Sequence, residues 1–279
     1  MSQNYQQTAR RKENISAIEP LISAMRTISL SQWRMALNRQ ENLASFLEGL
    51  AQANAILHAN TNDIYTQDQG DETVLIALGS NRGLCGNFNK HVLRFARAEG
   101  ITQKQFTRIY LAGKKLPSLF NDMAHWHTET LDFPDITAIP QAASLFSLAT
   151  LTQLEGKTIT MLFNRYQGAG RFETVCEQIY PLPPEKGADS RSEALEAIID
   201  TDAHAMARRL QQLSFSTQLQ ACLYSSMASE HSARFALMEN ADQNIEKLAE
   251  ELEVLLQDYR KGKITAETQE LAVSSGLLD

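Results

Sequence analysis

The polar and apolar positions divide the chain into three zones with different periods. In the first zone, about residues 7–59, apolar side chains recur every three or four residues, which predicts an amphipathic helix. The predicted stripe consists of Ile15, Ile18, Ile22, Met25, Leu43, Phe46 or Leu47, Leu50 and Leu57. The proline within this zone, Pro20, predicts a kink in the helix or a helix start nearby.

The second zone, about residues 71–187, alternates short apolar runs with helical patterns. The run Thr73–Leu78 predicts a buried strand, and a glycine-rich loop and a helix follow it. Further strands are predicted at 107–111, 158–163 and 172–180, and helices at 90–99 and 141–154. This alternation favours a small layered α/β domain.

The third zone, residues 188–279, begins with a stretch to Lys261 that contains neither Gly nor Pro and predicts one long helix. Five apolar residues near its end follow the a and d positions of a heptad: Ile245, Leu248, Leu252, Leu255 and Tyr259. A helix this long cannot form a compact core alone. We therefore expect it to pair with the first zone as an antiparallel coiled coil, with the α/β domain inserted between residues 1–60 and 188–279.

Composition excludes several classes of protein. The formal net charge of −7 argues against a general nucleic-acid-binding protein. Three widely spaced cysteines are typical of neither a disulfide framework nor a zinc site, and they favour a reducing cytosol. The polar N-terminal segment does not resemble a signal peptide. Because no run of about 18 apolar residues occurs, we expect contact with a membrane only through partners.

Candidate chemistry centres on the loop Gly79–Asn89, between a predicted strand and a predicted helix, where α/β proteins bind ligands. The loop lacks both the GxGxxG and the GxxxxGK[ST] phosphate-binding patterns. Cys85 has no neighbouring histidine or acid to activate it, and His125 and His127 are too few for a metal site. The residues therefore predict no catalytic group, no cofactor and no metal.

Three segments resemble one family. The loop 79–89 reads GSNRGLCGNFN and is similar to the signature of F-type ATP synthase gamma subunits. Residues 229–235, SEHSARF, resemble a segment of that family's C-terminal helix. Ala24–Arg26, followed by Arg34, resembles its N-terminal helix. The segments occur in the family's order, so the resemblance spans nearly the whole chain and implies two long terminal helices around a Rossmann-like domain.

The resemblance also implies a function. It predicts a central rotor subunit that couples ion flow through a membrane ring to ATP synthesis or hydrolysis. The implied partners are the alpha and beta subunits, the epsilon subunit and the ring of c subunits, and ATP binds to the partners. The chain itself would be non-catalytic and peripheral, at the cytoplasmic face of the cell membrane.

The resemblance further implies site residues. Contacts with beta subunits are expected at Met25, Arg26, Arg234, Arg260, Ile264, Thr265 and Glu267. The signature loop contributes Arg82, Gly83, Leu84, Cys85, Gly86 and Asn89. Arg234 is expected on an exposed helix face. The C-terminal motif fits in two registers, at 260–267 without a gap or at 268–270 after a three-residue insertion. We prefer the first, because such an insertion would overwind a coiled coil.

Two other classes of function stay open from the residues alone. One is a small α/β nucleotide-binding enzyme built on the loop Gly79–Asn89. The other is a coiled-coil adaptor without a rotary role.

Overall fold

The computed structural model describes residues 2–60, 72–99, 101, 106–120, 128–151, 157–181 and 202–274. The chain divides into two compact units: Met1–Ser29 with Phe235–Asp279, and Leu30–Arg234.

Two long helices, α1 (Ser2–Asn60) and α5 (Ala203–Ser274), contribute to both units and confirm the predicted terminal helices. Pro20 lies inside α1, so the alternative of a helix start near it is wrong. The residue is exposed, where water can satisfy the carbonyl that a proline leaves unpaired.

The N-terminal end of α5 is capped by Asp202, whose Oδ1 accepts a hydrogen bond from the backbone N–H of His204 at 3.0 Å. The predicted helical stretch at 188–201 lies outside the described residues. At the other end, α5 continues through Gly262 to Ser274.

The second unit is built around a five-stranded sheet in the order β3-β2-β1-β4-β5. The strands are β1 (Glu72–Leu78), β2 (Arg108–Ala112), β3 (Thr128–Leu131), β4 (Lys157–Gly168) and β5 (Arg171–Tyr180). The helices between them are α2 (Phe88–Ala98), α3 (Pro117–Phe120) and α4 (Ile139–Leu151). β1 to β4 are mutually parallel and β5 forms an antiparallel hairpin with β4, which confirms the predicted Rossmann-like α/β fold.

Each face of the sheet packs in a different cluster, because side chains alternate along a strand. Leu75 and Ala77 of β1 pack with α2 and α3 in one cluster. Val74 and Ile76 belong to the other cluster. That cluster includes residues of α1, α4 and α5, among them Ala36, Ile139, Phe215, Leu219 and Tyr224. The long helices therefore form one of the two helical layers that cover the sheet.

Two features of the sheet escaped the sequence analysis. β3 and α3 were not predicted, because β3 is a polar edge strand whose residues are mostly exposed and carry no apolar alternation. β4 extends five residues past its predicted end at Phe163. The extension is polar, pairs with β5 and reaches α5, so tertiary contacts and not apolar periodicity stabilise it.

In the first unit, ion pairs join the two long helices. Lys12 Nζ lies 3.0 Å from Glu253 Oε2, and Arg26 Nη1 lies 2.7 Å from Asp242 Oδ2. Rising residue numbers along α1 thus meet falling numbers along α5. The helices of this unit pair antiparallel, as predicted.

The seam of α5 departs from the predicted heptad at one position. Leu252 and Leu256 are buried, whereas Leu255 is 47% exposed, so Leu256 replaces Leu255 in the seam. The seam leucines Leu248, Leu252 and Leu256 are thus separated by two steps of four residues. This spacing brings the local repeat closer to the 3.6 residues per turn of a straight helix. In α1, Ile18 is likewise exposed, and Leu47 is more buried than Phe46.

Candidate functional site

The signature loop follows β1 at the point where the strand order of the sheet reverses. In open α/β sheets, ligands bind outside the carboxyl ends of the strands at such a point. The loop after β2 closes one side of this position, because a Cβ on Gly113 would lie 2.5 Å from the carbonyl oxygen of Gly79. Gly113 has a φ of +102°, which favours glycine.

Side chains within the loop hold Ser80. Asn89 Oδ1 accepts a hydrogen bond from the backbone N–H of Ser80 at 2.9 Å, and Asn89 Nδ2 donates to Ser80 Oγ at 2.8 Å. The Cys85 thiol lies 3.6 Å from the same hydroxyl oxygen and is buried. Burial raises the pKa of Cys85. These contacts give Cys85 and Asn89 a structural role.

The tip of the loop has an unusual backbone. Leu84 has a φ of +59° and Gly86 a φ of +63°, both in the left-handed region. For Leu84 this conformation costs about 1–2 kcal/mol relative to a right-handed one. Its side chain is 55% exposed, so burial of this leucine does not stabilise the conformation. Other contacts must hold the loop.

Arg234 of α5 supplies two of these contacts. Its Nε donates to the carbonyl oxygen of Gly83 and its Nη2 to that of Arg82, both at 3.2 Å. Nη2 also donates to Glu230 Oε1 at 2.5 Å, and Nη1 lies 3.2 Å from His231 Nδ1. Arg234 is only 3% exposed, so the expectation of an exposed helix residue is wrong. All three nitrogens of its guanidinium have partners in the chain itself.

The electrostatics of the cluster follow from burial. Burial raises the pKa of Glu230, and the neighbouring Arg234 opposes that shift. Burial lowers the pKa of His231 to about 4, and the charges of Arg234 and Arg82 act in the same direction. His231 is therefore neutral at neutral pH, and its Nδ1 can accept a hydrogen bond from Arg234.

The preceding turns of α5 bind the end of β4. Ser229 Oγ donates to the carbonyl oxygen of Asn164 at 2.9 Å, and the backbone N–H of Tyr166 donates to Ser225 Oγ at 3.1 Å. Together with Arg234, these residues place α5 across the carboxyl ends of β1 and β4. The position where an α/β enzyme would bind its ligand is thus occupied by the protein's own helix, which argues against the nucleotide-binding alternative.

Within the first unit, Arg26 donates to Glu239 Oε2 at 3.1 Å and to Asp242 Oδ2 at 2.7 Å, and the adjacent Met25 is half-buried. Arg260 is exposed and donates to Tyr5 Oη at 3.2 Å.

The remaining predicted contact residues of this unit lie at the C-terminal end of α5. Ile264 is 62% exposed, and Thr265 and Glu267 are exposed as well. Glu267 pairs with Lys263 at 3.5 Å. None of the seven predicted beta-subunit contacts is tested by these positions alone, so they stay predictions.

Glu230 and His231 belong to the site although they were not predicted from the sequence. A signal was present, because Glu230 and Arg234 are four residues apart in a stretch of otherwise small or apolar residues, a spacing that brings them together on one helix face. Among the described residues, no cluster of His, Cys, Asp or Glu could hold a metal ion. Nor does any described helix have the length and hydropathy to cross a bilayer.

Known proteins similar to this chain are ATP synthase subunits. A family model described as ATP synthase matches residues 4–275. The ATP synthase gamma chain of Flavobacterium johnsoniae is 27% identical, with 96% of both chains covered. The gamma chain of Clostridium kluyveri is 24% identical over 94% of this chain and 93% of its own.

Solved structures share the fold. A chain in the structure of the Euglena gracilis mitochondrial ATP synthase (OSCP, F1 and c-ring, rotational state 3) aligns with a TM-score of 0.68 and 17% identity, covering 99% of this chain and 95% of that one. A chain from the central stalk and c-ring of the Tetrahymena thermophila enzyme aligns with a TM-score of 0.57 and 18% identity, covering 79% and 99%. Because the family model extends over nearly the whole sequence, the chain belongs to the ATP synthase family, among relatives named gamma chains.

Proposed function

We propose that this chain is the gamma subunit of an F-type ATP synthase and turns as its central rotor. The observation that carries the proposal is the end-to-end match to gamma chains, on a fold whose ligand position is filled by α5. The partners are the alpha and beta subunits, the epsilon subunit and the c-ring. The chain is non-catalytic, and it associates with the cytoplasmic face of the membrane through this complex.

The paired helices supply what a rotor requires. A single long helix bends, whereas two helices joined by a seam and by ion pairs such as Arg26–Asp242 resist bending. The surface of the first unit is uneven. Ile18, Leu21 and Ile28 expose apolar side chains on α1, and α5 exposes Glu246, Glu250 and Glu251. As such a surface turns among three equivalent beta subunits, it contacts each one differently and shifts its conformational equilibrium.

The predicted contact residues take different parts in this proposal. Ile264, Thr265 and Glu267 are exposed and can contact a beta subunit directly. Arg26 acts mainly by holding α5, because its guanidinium is already paired with two carboxylates. Arg234 acts through the loop that it holds, since it is buried. The domain boundaries at 1–60, 71–187 and 188–279 remain part of the proposal.

The first test is assembly. The chain, co-expressed with tagged alpha and beta subunits of its own complex, should co-purify with them and restore ATP hydrolysis to the assembled hexamer. Isolation of the chain without the hexamer, under conditions in which both are folded, would favour the coiled-coil adaptor.

The second test is reversible tethering. A Met25→Cys variant, cross-linked to a cysteine on the adjacent segment of a beta subunit, should stop steady ATP hydrolysis, and reduction should restore it. Matched controls carry either cysteine alone and should hydrolyse ATP normally under oxidation. Full hydrolysis by a quantitatively cross-linked complex would show that the chain does not rotate there.

A further inference from the structure

The described contacts between α5 and the α/β sheet are of two kinds. Apolar contacts, such as those of Phe215 and Leu219 in the core cluster, resist separation of the two layers. Because the hydrophobic effect is non-directional, these contacts fix the position of the helix along the sheet less sharply than hydrogen bonds do. Directional hydrogen bonds resist sliding, because a small displacement breaks their geometry.

The segment Ser225–Arg234 of α5 makes several directional contacts with β4 and the loop after β1. Two of them involve serine hydroxyls and the end of β4. Three more are made by Arg234, which joins two loop carbonyls to the Glu230 carboxylate of its own helix. Hydrogen bonds with a charged donor are stronger than neutral ones, and those of Arg234 are shielded from water.

We propose that Arg234 is a positioning residue that locks α5 to the loop after β1, so that torque passes between α5 and the α/β domain without slippage. Arg234 binds the carbonyl oxygens of Arg82 and Gly83, and Glu230 holds the guanidinium in place. The inference rests on the proposed rotor function and adds a route for torque within the second unit.

The geometry distinguishes this role from simple charge pairing. A lysine at position 234 keeps a positive charge near Glu230 but cannot present the planar fork that reaches two carbonyls and a carboxylate together. Leu84, whose φ lies in the left-handed region, directly follows the two residues whose carbonyls Arg234 binds. The side chain of Leu84 is mostly exposed, so its burial contributes little to holding this conformation. Arg234→Lys therefore removes part of the hydrogen bonding at the tip of the loop, even though the charge balance is kept.

The test uses the assembled, membrane-bound complex and a double variant, Glu230→Gln with Arg234→Gln. Removing both charges avoids an unpaired buried ion, which would threaten folding. The control is Arg165→Gln with Glu177→Gln, which removes a half-exposed Arg–Glu pair between β4 and β5 and leaves the hydrogen bonds of Arg234 in place. Arg234→Lys is the third variant.

Two rates are compared in inverted vesicles. With an ionophore, ATP hydrolysis runs without load, and its rate per assembled complex is the reference for each variant. Without ionophore, a voltage-sensitive dye reports ion pumping against the potential. The Gln double variant and Arg234→Lys should pump about threefold less per ATP hydrolysed, and the Arg165/Glu177 control should match the wild type.

Hydrogen exchange on the isolated full-length chain adds an independent readout. Amides of residues 82–86 should exchange faster in the Gln double variant than in the control. The inference is overturned if the Gln double variant pumps ions against the potential as well as the control does. It is also overturned if hydrolysis with ionophore and pumping without ionophore fall by the same factor, because that result indicates a merely structural role. A wild-type chain that fails to assemble with alpha and beta subunits instead contradicts the proposed function.

Discussion

At the scale of residues, the two most informative segments of the sequence prove to be one structural site. The signature loop and the SEHSAR segment are about 150 residues apart along the chain, yet Arg234 joins them through two backbone carbonyls. A backbone carbonyl is present whatever the residue type. The sequence could therefore indicate that both segments matter, but not that they touch.

His231 gives this site a signature in the pH dependence of folding. Its pKa is lowered from 6.5 to about 4 in the folded chain, so the folded chain binds fewer protons than the unfolded chain between these values. The contribution of His231 to the free energy of unfolding is therefore fully present above about pH 6.5 and declines as the pH falls towards 4. Between pH 7 and pH 5 this histidine alone should lower the free energy of unfolding by about 2 kcal/mol.

A His231→Gln variant should lose that contribution, which urea unfolding of the full chain at the two pH values can measure. His204→Gln, at an exposed position of α5, is the control and should retain the pH dependence. The raised pKa of Glu230 acts with the opposite sign in acid, but it is common to all three proteins. Identical pH dependence in His231→Gln and wild type would show that His231 is not held neutral.

At the scale of elements, the pattern of apolar residues located the two long helices and four of the five strands. The pattern did not identify which of two neighbouring apolar residues is buried, because packing against another element decides that. In the seam of α5, Leu255 and Leu256 are adjacent leucines, and both are compatible with a helical stripe. The choice between them depends on the partner helix, which the local pattern does not specify.

Alanine substitution distinguishes the two leucines. Leu256→Ala removes a buried side chain and should lower the free energy of unfolding by about 2–3 kcal/mol. Leu255→Ala removes an exposed one and should change it by less than about 0.5 kcal/mol. The helical circular dichroism signal during urea unfolding of the full chain measures both. A larger loss in Leu255→Ala would restore the heptad predicted from the sequence.

At the scale of the whole molecule, the fold class follows from the sequence because helices and strands with different periods occupy separate zones. That α5 fills the ligand position cannot be predicted from the sequence. It depends on serine hydroxyls and on Asn164, whose side chain donates to the carbonyl oxygen of Phe88 while its own carbonyl accepts from Ser229. Such polar contacts have no periodicity, so a linear pattern does not reveal them.

The filled position leads to a prediction for the purified chain. Without partners it should neither bind nor hydrolyse ATP, because α5 lies where an α/β protein would place the nucleotide. Calorimetry with Mg·ATP and a phosphate-release assay at several protein concentrations test this expectation. Phosphate release that rises in proportion to the chain and survives further purification would contradict it.

The placement of the three thiols has a practical consequence for watching this protein move. Maleimide reagents attack the thiolate, and burial raises the pKa of Cys222 to about 12, which leaves about one molecule in 10⁵ reactive at pH 7. Burial also raises the pKa values of Cys85 and Cys176. A cysteine introduced on an exposed helix face should therefore take up a fluorophore far faster than the native thiols, with Cys176, the least buried, reacting next. Single-molecule observation can then begin from the natural sequence.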